Sequence, residues 1–68
     1  MDKIFVSVSF EENTDWDDVI AVVDKFKDAH SFSFSKAVYY SGDYATAEIF
    51  IAELSKLGYK MKIMRNVD

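Results

Sequence analysis

Apolar residues recur along this chain with two different spacings, which divide it into five segments. Within Lys3–Phe10, Ile4, Val6, Val8 and Phe10 alternate with mostly polar residues, a pattern typical of a strand with one buried face. The segment 59–65 alternates in the same way, with Tyr59, Met61 and Ile63 on one side. Two segments between these strands carry apolar residues at intervals of three and four, which predicts amphipathic helices.

The first helix is predicted to begin at Thr14 as N-cap, because Asp15 and Asp17 then lie in the first turn, where carboxylates favour the helix dipole. His30 is expected at its C-terminal end. The apolar stripe that this helix would bury consists of Trp16, Val19, Ile20, Val23 and Phe26.

The second helix is predicted to begin near residues 41–43 and to run to about Leu57, since Gly58 provides the left-handed residue at which helices often stop. Its buried stripe is Ala47, Phe50, Ile51, Leu54 and Leu57. Ile49 projects to the opposite side with Ala45 and Ala52 beside it, and these three residues are the candidate self-association surface of a homodimer.

The segment 31–40 is predicted to be a single strand with Phe32, Phe34, Val38 and Tyr40 on its buried side. The resulting order is βαβαβ. Short connections make the three strands parallel, and because each strand has only one apolar face, both helices are expected on the same side of the sheet. The predicted fold is thus an α/β two-layer sandwich whose three-stranded sheet has the order 1-2-3.

Lys36 conflicts with this interpretation because it falls on the apolar side of the predicted middle strand. A turn at Ser35 and Lys36 would split the strand into a hairpin and give a miniature ferredoxin-like βαββαβ fold (α+β) with an antiparallel sheet. Ser-Lys is a poor pair for a two-residue hairpin turn. A single strand is therefore preferred, with the hairpin as the alternative.

Length and composition indicate one compact domain spanning residues 1–68. The chain has no cysteine, which excludes disulfides, and half of its residues are hydrophobic. The longest apolar run, Val19–Val23, is far shorter than a membrane span, so we expect no membrane partner and a cytoplasmic location.

Catalytic and metal-binding signatures are missing from the sequence. His30 is the single histidine, and the two glycines are too few for a phosphate-binding loop. A calcium loop starting at Glu11 would need glycine at Trp16 and a carboxylate at Val22. We therefore expect a protein that is not an enzyme, with no catalytic residues, no cofactor and no metal.

The formal net charge is −4, and most of the acidic residues lie in the first half of the chain. They could form a negative edge that docks on a protein with a basic surface and is steered there electrostatically. The residues of this predicted acidic edge are Glu11, Glu12, Asp15, Asp17, Asp18, Asp24 and Asp28.

In its size, its acidity and its single compact αβ unit, the chain resembles the small phage-encoded inhibitors of host enzymes, anti-CRISPR proteins among them. The resemblance is one of type and assigns no residues. It implies a protein-binding module that acts as an inhibitor or adaptor.

The alternative function is a small nucleic-acid-binding domain that uses the exposed face of the sheet, where Phe5, Tyr39, Lys60 and Lys62 are candidate contacts. The negative net charge and the missing RNA-recognition signature argue against nucleic acid. A structural homo-oligomer is the third hypothesis.

Overall fold

The computed structural model describes residues 3–67, which contain four strands and two helices in the order β-α-β-β-α-β. The elements are β1 (Lys3–Phe10), α1 (Trp16–Val23), β2 (Ala29–Phe32), β3 (Ala37–Asp43), α2 (Tyr44–Ser55) and β4 (Met61–Val67).

The strands form one antiparallel sheet in the order β2-β3-β1-β4. The predicted three-stranded sheet of order 1-2-3 is therefore wrong, while the βαββαβ order of the hairpin alternative is observed. The helices cover one side, α2 packing on β3 and β1 and α1 packing on β2 and α2.

The segment 31–40 splits because its turn is longer than a two-residue turn. Phe32 pairs with Ala37, which leaves the four residues Ser33 to Lys36 as the hairpin loop. Lys36 adopts φ 53°, the left-handed conformation, and its carbonyl accepts a 2.8 Å hydrogen bond from the backbone N–H of Phe10. The weakness of Ser-Lys as a two-residue turn is therefore irrelevant here, since four-residue loops follow different rules.

Lys36→Val should lower the free energy of unfolding by about 1–2 kcal/mol, because a β-branched residue tolerates the left-handed region poorly. Lys36→Gly is the matched control. Glycine relieves the same strain but loses the Lys36 ammonium, which lies 5.3 Å from the Trp16 ring centroid, so we expect a net change below about 0.5 kcal/mol. Urea unfolding measures both variants, and equal losses would contradict a left-handed Lys36.

The core lies between the helices and one face of the sheet. The alternating residues of β1 and the predicted stripes of both helices contribute to it, as the periodicity indicated. Its buried members include Ile4, Val6, Val8, Phe10, Trp16, Val19, Val23, Val38, Tyr40, Ala47, Phe50, Ile51 and Leu54, with Ile20, Phe26 and Leu57 partly buried against them.

The helix ends differ from the predicted ones by a few residues. The N-cap of α1 is Asp15, whose carboxylate accepts a 3.2 Å hydrogen bond from the backbone N–H of Asp17. Thr14 instead is buried and outside the helix. Asp43 caps α2 by accepting from the backbone N–H of Thr46 at 2.9 Å, and Gly58 adopts φ 83° just after the helix ends.

Three further expectations about the segment from His30 to Phe34 are wrong. His30 lies in β2 rather than at the end of α1. Phe32 is half exposed, on the side of the sheet away from the helices, and Phe34 is fully exposed in the hairpin loop. The hairpin thus places two phenylalanines at the surface that a single strand would have buried.

Candidate functional site

The main candidate site is the open face, the side of the sheet that faces away from the helices. Its residues follow from strand alternation and register. They are Lys3, Phe5, Ser7 and Ser9 of β1, His30 and Phe32 of β2, Ala37, Tyr39 and Ser41 of β3, and Lys62, Met64 and Asn66 of β4.

Three aromatic side chains pack together at the centre of this face. Phe5 stacks on Tyr39 with ring centroids 5.7 Å apart, and Phe32 meets the same tyrosine edge-on at 5.2 Å. Phe5 is 41% exposed and Phe32 50% exposed. These residues, the aromatic patch, come from three neighbouring strands and form a continuous apolar surface.

Charged residues on the open face lie at its ends. Lys3 begins β1, and Lys62 pairs with Ser9 near the end of that strand. Asp43 is the cross-strand neighbour of Lys3, but its carboxylate caps α2, and the backbone N–H of Thr46 lowers the pKa of that carboxyl. The centre of the open face therefore carries no charge.

Three of the four predicted open-face contacts lie on the open face, and the fourth, Lys60, lies just outside it. Phe5 and Tyr39 are brought into direct contact, and Lys62 lies on the same face. Lys60 is exposed just before β4 and lines a groove of about 370 Å³ with Ser9, Glu11 and Lys62.

The seven residues of the predicted acidic edge are all exposed, but they fall into two groups at opposite ends of α1. Five precede the helix or lie in its first turn, and this N-terminal acidic group consists of Glu11, Glu12, Asp15, Asp17 and Asp18. Asp24 and Asp28 follow the helix, in a stretch that also contains Lys25 and Lys27. Within residues 3–67, no three His, Asp or Glu side chains cluster closely enough to hold a metal ion.

The second groove, of about 490 Å³, is lined by Lys25 to Asp28 together with Tyr40, Asp43 and Thr46. Burial raises the pKa of Tyr40, and the nearby carboxylates of Asp43 and Asp28 raise it further. The phenol is therefore protonated at neutral pH, which makes it a hydrogen-bonding group rather than a base.

The candidate self-association residues Ala45, Ile49 and Ala52 lie on the outer side of α2, in the layer opposite the open face. All three are exposed, Ile49 to 55%. An ion pair between Glu48 and Arg65, with a 3.0 Å contact, lies beside them. The candidate self-association surface is thus small, and charged side chains lie next to it.

Phe32, Phe34 and Met64 are exposed apolar residues that were not among the candidate site residues predicted from the sequence. Met64 is 58% exposed on the open face, and Phe34 is 102% exposed in the hairpin loop. The phase of Met64 with Lys62 already indicated the polar side of the last strand. The exposure of the two phenylalanines was indicated in the sequence only by Lys36, whose position on the apolar side conflicted with a single strand.

Among residues 3–67, neither helix has the length and apolar composition needed to cross a bilayer. Comparison with known proteins found no family model, no curated protein and no solved structure that matches this chain. A function for this chain therefore has to be inferred from its geometry and chemistry alone.

Proposed function

We propose that this protein is a non-enzymatic protein-binding module, an inhibitor or adaptor, whose contact surface is the open face of its sheet. The observation that supports this proposal is the aromatic patch of Phe5, Phe32 and Tyr39, which lies on the side without helices. An apolar cluster of this kind, held by strands rather than loops, is costly to expose to water and favours a partner that covers it.

The composition of the open face fits a protein partner. Buried centres of protein interfaces are enriched in Tyr, Phe and Met and depleted of charge, while polar residues surround them. Here Met64 adjoins the aromatic patch, and Lys3 and Lys62 lie toward the ends of the face. Tyr39 contacts both phenylalanines, so it is the expected centre of the binding energy.

The N-terminal acidic group supplies a second contact region. Glu11 directly follows β1 and lines a groove with Ser9 and Lys62 of the open face, so this member of the acidic group borders one end of that face. A partner that carries an apolar area beside basic residues complements both regions. The carboxylates would mainly raise the association rate, and the aromatic patch would slow dissociation.

A cytoplasmic location goes with this proposal, and the absence of cysteine is compatible with it because small domains in oxidising compartments are often stabilised by disulfides. The action as an inhibitor or adaptor accords with the resemblance in size and acidity to small phage-encoded inhibitors.

Binding of single-stranded nucleic acid is the second candidate function, favoured by aromatic residues on the central strands of a four-stranded sheet. Phe5 of β1 and Tyr39 of β3 could stack bases, and Lys3 and Lys62 could contact phosphates. The net charge of −4 opposes this function, since affinity for nucleic acid depends largely on released counterions.

The test begins with a photoreactive phenylalanine at Tyr39 and, as control, at Ile49 on the opposite layer. We expect a protein to be cross-linked in extracts of the source cell from the first position but not from the second. With that protein purified, Tyr39→Ala should weaken binding by at least about 30-fold, the effect of a central interface residue. Ile49→Ala should change it by less than about twofold.

Charge reversal separates the two contact regions. Glu11→Lys combined with Glu12→Lys should lower the association rate and weaken its dependence on salt, while leaving the dissociation rate nearly unchanged.

Equal losses of affinity for Tyr39→Ala and Ile49→Ala would contradict docking on the open face. Binding of labelled ten-nucleotide RNA or DNA at low salt, abolished by Tyr39→Ala, would replace the protein-binding proposal by the second candidate.

A further inference from the structure

The outer edge of β4 is unusually regular for an exposed sheet edge. β4 pairs with β1 over seven consecutive residues, from Met61 opposite Phe10 to Val67 opposite Ile4, so no bulge interrupts it. The opposite edge of the sheet is β2, which has four residues. Natural proteins usually protect long edges with bulges, proline, charged side chains or a covering helix. β4 has no bulge and no proline, and its charged residues are Lys62 and Arg65.

The helices also leave β4 poorly covered. Within the described part of the chain, α2 packs mainly on β3 and β1, and α1 on β2. Met61 and Ile63 point toward the helix layer but remain half-buried, and Met64 is 58% exposed on the open face. An additional strand beside β4 would cover all three side chains and satisfy the outward backbone N–H and C=O groups.

A second copy of β4 fits this edge in one register. If a two-fold axis perpendicular to the sheet passes at Met64, all seven residues pair antiparallel and both open faces lie on the same side. Met64 then lies opposite its own copy, Lys62 opposite Asn66, and Ile63 opposite Arg65. No residues of like charge are opposite each other, which matters because such pairs destabilise a sheet.

Neighbouring registers are less favourable. A one-residue slip between the strands would turn one open face to the other side of the joint sheet, because side chains alternate with a period of two. Axes at Lys62 or Arg65 would place identical cations opposite each other. An axis at Ile63 would pair only five of the seven strand residues, since the strand ends at Met61 on that side.

We propose that two copies of this chain pair through their β4 strands, antiparallel about a two-fold axis at Met64, to form one eight-stranded sheet. The joint sheet would carry two open faces side by side. Five strand spacings of about 4.8 Å separate β3 from its copy, so the two aromatic patches would lie about 24 Å apart. The dimer would thus present two equivalent binding surfaces in one plane.

Single cysteines give a direct test because the chain has none of its own. In Met64→Cys the two thiols would face each other across the axis, at the short Cβ separation of directly opposite strand residues. With oxidised glutathione as oxidant, we expect this variant to form a disulfide-linked dimer at least about tenfold faster than Ile49→Cys, whose site is equally exposed. Ser9→Cys, on the same face but in β1, is the second control.

Sedimentation equilibrium from micromolar to millimolar protein provides the second measurement. The wild type should dimerise with rising concentration, whereas Met64→Lys, which puts two ammonium groups opposite each other, should remain monomeric with an unchanged circular dichroism spectrum. A wild type that stays monomeric throughout would overturn the proposal. So would faster linkage of Ile49→Cys, which would indicate pairing through α2. Neither result depends on whether the open face binds a protein.

Discussion

Phe50→Ala should lower the free energy of unfolding by about 3–5 kcal/mol, a large part of the stability of this protein. Phe50 is fully buried, its ring centroid lying 5.1 Å from that of Phe26 and 5.6 Å from that of Tyr40. It connects α2, the segment after α1, and β3. Replacing a buried phenylalanine by alanine costs about 3–5 kcal/mol, because apolar contacts are lost and a cavity remains. The whole stability of a domain of this length is about 3–10 kcal/mol.

Circular dichroism with urea unfolding measures this effect. Phe50→Leu is the control, since it keeps most of the apolar volume and should remain folded with a smaller loss. Ile49→Ala removes an exposed side chain from the adjacent position and should change the free energy of unfolding by less than about 0.5 kcal/mol. A Phe50→Ala variant that unfolds cooperatively with a loss below about 1 kcal/mol would contradict the close packing around Phe50.

Gly42→Ala should also destabilise the fold, by about 1–3 kcal/mol, because the Tyr40 ring lies directly against the glycine. A Cβ at position 42 would be 2.8 Å from Cζ of Tyr40 and closer still to its hydroxyl oxygen. Tyr40 is 3% exposed and also contacts Phe26 and Phe50, so the ring has little room to move. Glycine is needed here for space.

Removing the Tyr40 hydroxyl tests this explanation. Tyr40→Phe deletes the atom nearest to the added methyl group, so the double variant Gly42→Ala/Tyr40→Phe should lose less stability than the two single variants add up to. The expected coupling is about 0.5–2 kcal/mol, measured by urea unfolding of all four proteins. Additive losses would show that the hydroxyl is not the obstacle.

The elements with regular periodicity were predicted well from the sequence. β1 has the predicted bounds, and the stripe of α2 from Ala47 to Leu54 is buried as expected. These predictions held because a strand or helix with one apolar face can bury that face in only one way. The predicted N-cap of α1, Thr14, was wrong by one residue. Asp15 is an equally suitable cap, and which of the two caps the helix depends on where the chain leaves β1.

The candidate site was predicted in part. Phe5 and Tyr39 were expected on the exposed side of the sheet, and they are in contact there. Phe32 was expected in the core and lies on the open face instead. One residue more or fewer in a turn moves the following strand side chains to the other face of the sheet. The spacing of apolar residues alone did not show whether the chain turns at Lys36. The acidic residues were identified, but their separation at the two ends of α1 is visible only in the folded chain.

The sequence by itself determined that β1, α1, α2 and the last strand form, which sides of β1, α1 and α2 are apolar, and that acidic residues are concentrated early in the chain. These properties are local, because they follow from spacing and composition within a few turns. Only the tertiary structure decided the number and order of strands, the composition of the open face and the exposure of β4. Those features depend on which distant strands pair: β1 contacts both β3 and β4 only because the chain folds back twice. Pairing between distant strands is a property of the whole core, which is why the sequence alone did not show that the chain turns at Ser33 to Lys36 and forms a fourth strand.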